Sequence, residues 1–269
     1  MNIGIRTDIL EELAVLRRED ARARETKVSF AEMMRRATDA PKARDFAAAF
    51  RGEGTHVIAE LKRASPSEGM IREDFRPLEL AKELEANGAS ALSVLCEPHR
   101  FLGSEDYLAA VRGVVSLPLL YKDFITMRYQ IAAARAAGAD AVLLIAAILG
   151  DSELSDLLAF THDLGMKALV ETHDESEIRR ATDSHAELIG VNCRNLRNFS
   201  CDTSLLESLL VKIPKDRLRI AESGMHTREA MAKAGASGAD GFLVGTALMR
   251  ADRPGEKLME LTQTIKGNI

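Results

Sequence analysis

No stretch of this sequence is apolar for long enough to cross a bilayer. The longest run, AVLLIAAIL at 141–149, falls far short of the roughly 20 residues a spanning helix needs. The N-terminus, MNIGIRTDIL, lacks the apolar core of a secretory signal, so the cytoplasm is the expected compartment. Cysteine is scarce. Cys96, Cys193 and Cys201 are odd in number and form no CxxC or Cys/His spacing, which excludes a zinc module and makes reduced thiols the expectation. The histidines show no HExxH or HxxxH spacing, so no metal is predicted. GxSxG, GxGxxG and P-loop sequences are missing, which argues against a Ser/His/Asp hydrolase and an open dinucleotide-binding sheet. Basic residues are not in excess: 36 Lys+Arg stand against 41 Asp+Glu, and a net charge of −5 argues against nucleic acid as the main partner. Tryptophan is absent altogether, and that excludes nothing.

What is present is ordinary for a water-soluble globular chain: 46% apolar and 29% charged residues over 269 positions, enough to fill a sizeable core. Residues 1–50 differ from the rest. Ile9, Leu10, Leu13 and Leu16 recur at helical spacing among many charges. Ser29 with Glu32 three residues on predicts a capping box at a second helix. One apolar stripe cannot bury itself, so this segment is expected to be a helical extension packed on a main domain, the whole of 1–269 forming a single domain. Its Arg17, Arg18, Arg22 and Arg24 read as a solvated helix face.

After residue 55 a rhythm begins. Strand-like runs fall at VIAEL (57–61), ALSVL (91–95), PLLYK (118–122), AVLLI (141–145), ALVET (168–172), LIGVN (188–192), LRIAE (218–222) and GFLVG (241–245). Helix-like stretches lie between them, and the junctions NGASALSVL, AGADAVLLI and SGADGFLVG repeat one scheme, a glycine closing a helix just before a strand. Eight strands alternating with helices predict an α/β fold of the (β/α)8 barrel type, with an open doubly wound sheet as the competitor.

In such a barrel functional groups gather at the C-terminal ends of the strands. Those ends supply Glu60 and Lys62, Lys122, Glu171, Asn192, then Glu222 with Ser223. Residues two apart on a strand share a face, so Glu60 and Lys62 are expected side by side. Any one of these charges is as readily a solvated strand end; the recurrence of Lys, Glu and Asn around one rim favours a polar cavity. The loops after the last two strands, ESG at 222–224 and VGTALM at 244–249, suit a phosphate. Gly224 and Gly245 would admit it to the backbone, Thr246 would cap a short helix, and Ser65 would reach the same group from the first loop. Two residues are set aside: His173 as a helix-start residue and Cys193 as a small packed thiol.

In this order the motifs resemble the indole-3-glycerol phosphate synthase family. The likeness runs over nearly the whole chain and is densest in IAELKRASPSEG, LSVLCEPHRFLGS, LLYKDFI, ALVETH, IGVNCRNL, AESG and FLVGTALMR. It implies a (β/α)8 TIM barrel with an N-terminal helical extension and a cofactor-free carboxy-lyase of tryptophan biosynthesis. That enzyme converts 1-(2-carboxyphenylamino)-1-deoxyribulose 5-phosphate to indole-3-glycerol phosphate. By the same resemblance Lys122 is the general acid, Lys62 serves the substrate carboxylate and phosphate, and Glu171 and Glu60 are acid–base carboxylates. Asn192, Glu222 and Ser223 position the substrate, Arg194 meets its anthranilate side, and Ser65, Gly224, Gly245 and Thr246 hold the phosphate. The expected partner is therefore a phosphorylated small molecule, with no membrane or nucleic acid, and the chain is expected to be monofunctional, a monomer or weak oligomer. The sequence departs from the family pattern at Cys96, where threonine is common, and at Cys193 and Asn195, where NNRDL is usual. Two readings stand beside this one: another phosphate-binding barrel enzyme, such as an isomerase or a Schiff-base aldolase using Lys122, and a non-catalytic binder on the same fold.

Overall fold

The computed structural model describes residues 9–194 and 201–263. Eight parallel strands close into a ring: β1 (Val57–Leu61), β2 (Ala91–Leu95), β3 (Leu119–Lys122), β4 (Ala141–Ile145), β5 (Lys167–Thr172), β6 (Leu188–Asn192), β7 (Leu218–Glu222) and β8 (Gly241–Val244). Each strand pairs with its sequence neighbours, and β8 returns to β1 with Val57, Ile58 and Ala59 opposite Phe242, Leu243 and Val244. The helices α1 (Ile9–Glu25) and α2 (Phe30–Asp39) precede the ring. Between successive strands run α3 (Pro77–Ala86), α4 (Glu105–Arg112), α5 (Arg128–Ala136), α6 (Asp151–Asp163), α7 (Glu175–Asp183), α8 (Thr203–Leu210) and α9 (Arg228–Ala236). The short α10 (Thr246–Arg250) and α11 (Pro254–Thr262) follow β8. All eight predicted strands are present to within one residue at either end. Among the described residues no helix is long and apolar enough to cross a membrane.

The strands read as apolar runs because both faces are covered. Outward residues such as Val57, Ala59, Val94 and Val170 pack beneath the helices. Inward residues form a second core of Ile58, Leu120, Leu169, Leu188, Ile220 and Leu243, stoppered at the strand starts by Phe50, whose ring lies against Gly241. Two residues further up, the same inward-facing files turn polar: Glu60 above Ile58, Lys122 above Leu120, Glu171 above Leu169, Glu222 above Ile220. The alternation of the pleat therefore carries each strand from core to chemistry in a single step.

The N-terminal helices are tied to this frame. Ser29 caps α2 by accepting from the Glu32 N–H at 3.3 Å. The reciprocal half of the predicted capping box is not made, because the Glu32 carboxylate is taken by Arg35 and Arg36. Met33 and Ala37 of α2 pack on Tyr129, Ala132 and Ala133 of α5. Leu10 and Leu13 of α1 join Phe124 in the inner cluster, so α1 lies over the C-terminal mouth.

The basic face of α1 is not the solvated surface that its sequence suggests. Arg17 is 8% exposed and grips Asp123 with two nitrogens, Nη2 to Oδ2 at 2.6 Å and Nε to Oδ1 at 2.9 Å. Arg24 pairs with Glu105, and the Tyr121 hydroxyl lies 2.8 Å from Glu105 and 3.1 Å from Asp123. The acidic partners lie about a hundred residues away in the chain, beyond the reach of local pattern. Removing one member of a buried ion pair strands the other, at a typical cost of roughly 3–5 kcal/mol. Arg17→Met is therefore expected to lose about that much in urea unfolding, and Arg17→Met with Asp123→Leu is expected to lose less than Arg17→Met alone.

Candidate active site

The polar strand ends converge on one cavity of about 840 Å³, counted to its open mouth. Its lining includes Glu60, Lys62, Ser65, Lys122, Glu171, Asn192, Arg194, Glu222, Ser223 and Thr246. Ten of the twelve predicted site residues thus share one wall, and the other two, Gly224 and Gly245, shape the turns behind it. Asn195 lies outside the described residues.

Glu60 and Lys62 are side by side, with Nζ 2.6 Å from Oε2. Lys122, from β3, reaches across the ring to two carboxylates, 3.3 Å from Glu171 Oε2 and 3.3 Å from Glu222 Oε2. Asn192 stands opposite Glu222 in the β6–β7 register, and its Oδ1 accepts from the Ser223 hydroxyl at 2.8 Å and the Arg194 N–H at 3.0 Å. Arg194 also places Nη1 3.3 Å from the Ser67 hydroxyl.

Room for these carboxylates comes from glycines inside the ring. A Cβ at Gly190 would sit 2.1 Å from Glu222 Oε1, and one at Gly245 would sit 2.1 Å from Glu60 Oε2 and 3.0 Å from Lys62 Nζ. Gly245 thus serves the Glu60–Lys62 pair as well as the turn. Thr246 does not cap α10 as its sequence suggests. It is the first helical residue, and Gly245 is the cap, without a side-chain bond. Ser223 and Gly224 both adopt left-handed backbone, φ +66° and +72°. In a serine that geometry costs roughly 1 kcal/mol or more, and it persists where surrounding contacts enforce it.

The electrostatics follow from burial. Glu222 is 1% exposed, and desolvation, opposed by Lys122 and reinforced by Glu171, pushes its carboxyl up to about 8. Burial acts on Glu171 in the same direction but is outweighed by Lys122, His173 and hydrogen bonds from Glu222 and Asn192, so Glu171 is held below the usual carboxylate range. The pair shares one proton, and Glu222 carries it. Burial pulls Lys122 down, but Glu222, Glu171 and Glu60 together raise it above the ordinary lysine value. Lys122 is then held as an ammonium and Glu171 as a carboxylate, with the Glu60–Lys62 ion pair beside them. A charged acid, a charged base and a neutral carboxyl donor lie within one hydrogen-bonded set.

The same lining carries an apolar set, Leu10, Leu13, Phe101, Phe124, Leu143 and Ile145. Several residues that shape the site were not singled out from the sequence. Glu97, after β2, accepts from the backbone N–H groups of His99, Arg100 and Phe101 at 2.6, 2.7 and 2.8 Å and so turns the Phe101 ring toward Phe124. Asp123 anchors α1 beside Lys122. Gly190 carried a signal, a glycine in mid-strand, which often marks a close approach. The reduced-thiol expectation is overturned at one place: Cys193 and Cys201 are bridged, with Cα atoms 5.3 Å apart, while Cys96 is free and buried. Arg194 and Cys201 pair in an isolated antiparallel bridge, which brings the sulfurs together without any spacing motif.

Comparison with known proteins accords with this geometry. The sequence profile of the family described as "Indole-3-glycerol phosphate synthase" matches residues 10–261. A relative of that name from Albidiferax ferrireducens is 46% identical over 264 residues, covering 96% of this chain and 99% of its own. Another, from Acidithiobacillus ferrooxidans, is 44% identical and covers 95% of this chain and 98% of its own; a third, from Aliarcobacter butzleri, is 41% identical over 96% and 99%. Among solved structures, a thiamine phosphate pyrophosphorylase from Pyrococcus furiosus superposes with a TM-score of 0.58 at 14% identity, covering 77% of this chain and 93% of its own, a likeness of fold alone. With a profile match over nearly its whole length and relatives above 40% identity, the chain belongs to the indole-3-glycerol phosphate synthase family.

Proposed function

We propose that this cavity performs the family's reaction with Lys122 as the general acid, closing the indole ring and releasing CO2 and water. The observation that carries the assignment is the placement of Lys122: a charged ammonium held between two buried glutamates, in a cavity that also has an apolar lining. The apolar lining suits the aromatic ring of the substrate, and the sugar chain then lies over the charged groups. Lys122 donates to the ketone oxygen as the aromatic carbon attacks, where negative charge develops. Lys62 and Arg194 hold the carboxylate until decarboxylation restores the aromatic ring. In the dehydration that follows, Glu171 is the base that takes a proton from the substrate, and Lys62, paired with Glu60, protonates the departing hydroxyl. Asn192, Glu222 and Ser223 fix the intermediate. Ser65, Thr246 and the backbone at Gly224 and Gly245 take the phosphate at the start of α10. We read the N-terminal helices as part of the same domain, because Ile9, Leu10 and Leu13 belong to the cavity wall.

A turnover assay following indole fluorescence tests the acid. Lys122→Ala is expected to lose a factor on the order of 1,000 in kcat while remaining folded. Turnover near the native level would reassign the acid, and a borohydride-trapped adduct on Lys122 would favour a Schiff-base aldolase instead. Gly190→Ala places a Cβ on the Glu222 carboxylate and is expected to lower kcat about a hundredfold, the usual effect of displacing a catalytic group by about 1 Å. The proton on Glu222 sets a pH limit. In kcat/KM the native enzyme is expected to decline above about pH 8, and Glu222→Gln, which mimics the protonated acid, is expected to lack that limb. Because burial raises this carboxyl, its contribution to stability is full below the ordinary carboxylate range and is lost as the pH rises toward about 8.

A further inference from the structure

We infer that His173 is a positioning residue that clamps Glu171, bridging it to Glu177 on α7 as an imidazolium between two carboxylates. The inference rests on the reading of Glu171 as the base. His173 follows β5 and is not itself among the residues lining the cavity. Its Nε2 is sealed from solvent, makes no hydrogen bond and lies 3.4 Å from Glu171 Oε1 as a charge contact, while Nδ1 is hydrogen-bonded to Glu177 Oε2 at 3.3 Å. A neutral imidazole with its proton on Nδ1 would leave the Nε2 lone pair beside the Glu171 carboxylate; the doubly protonated ring sets a positive charge between the two carboxylates instead.

The clamp is built rather than incidental. Asp174 caps α7 by accepting from the Glu177 N–H at 2.9 Å. The Glu177 carboxylate reaches back over the helix start and accepts from the His173 backbone N–H at 2.7 Å. Backbone and ring of His173 are thus held by the same oxygen. On the inner side, Lys122 takes Oε2 of Glu171 and His173 faces Oε1, so the base is bracketed by two cations on its two oxygens. The charged groups facing the ring are Glu171 from β5, Glu177 and Asp174 from the start of α7, and Glu222 from β7. Burial opposes the ring's charge, but the Glu177 hydrogen bond and the charges of Glu171, Glu177 and Glu222 outweigh it and raise His173 above the ordinary histidine value. The consequence for chemistry is that Glu171 stays ionised at lower pH and keeps one orientation while Lys122 moves its proton.

The test separates positioning from mere packing. In His173→Asn the acid limb of kcat/KM, which reports ionisation of Glu171, is expected to move up by about one pH unit, since a neighbouring opposite charge typically shifts a carboxyl by about 1–3 units. Glu177→Gln keeps the ring but removes its outer partner, and a smaller shift in the same direction is expected. Nitrogen-15 NMR of the imidazoles reads the contact without turnover: the midpoint of His173 is expected to lie above the ordinary histidine value and to fall in Glu171→Gln. A native acid limb in folded His173→Asn, or a neutral ring at pH 6, would overturn the clamp. Glu171→Gln run beside it keeps the two claims apart, because native turnover in that variant removes Glu171 as base whatever His173 does.

Discussion

A buried cation governs the upper half of this barrel. Lys122 stands at the end of an apolar strand, with little water to solvate it, and an ammonium in that position persists only if anions meet it at close range. Glu171 does so as a carboxylate from across the ring, and Glu222 joins it without mutual repulsion because Glu222 carries the shared proton. Gly190 then has to be a glycine, since any side chain would occupy the space the Glu222 carboxylate uses. Asn192 and Ser223 are bonded to each other beside that carboxylate, and His173 backs the other. One requirement, keeping an ammonium charged where little water reaches it, propagates through four strands.

The parts of this architecture that were legible in the sequence are those encoded locally. The strands could be placed because parallel strands buried on both faces are short apolar runs, and the glycine before three of them marked where helices stop. The rim residues could be found because the fold puts function at strand ends, and ten of those named do line the cavity. What could not be read depends on neighbours distant in the chain. Arg17 looks like any exposed arginine until Asp123 is folded against it, 106 positions later. Cys193 and Cys201 look like scattered thiols until the Arg194–Cys201 bridge sets them side by side. His173 resembles a routine helix-start residue, and only the position of its ring between Glu171 and Glu177 gives it work to do.

The extension at the start of the chain belongs to the same logic. Its apolar stripe supplies Leu10 and Leu13 to the cavity wall, and its basic face supplies Arg17 to the residue that follows Lys122. A helix held by one buried ion pair and a strip of leucines is fixed in both rotation and height. The apolar part of the cavity lining is therefore set by the contact that steadies the segment after β3.

The ring closes where β8 meets β1, and the Glu60–Lys62 pair sits against Gly245 at that seam. The first and last strands of the barrel thus share one corner of the site, separated by about 180 residues of chain. During synthesis Lys62, Lys122 and Glu171 all leave the ribosome before the backbone that cradles the first of them exists. A barrel halted one strand short would carry nearly every reactive side chain and still have an open flank beside Lys62. Such a chain could not exclude water from those charges, so the cavity is complete only once the final strand has docked.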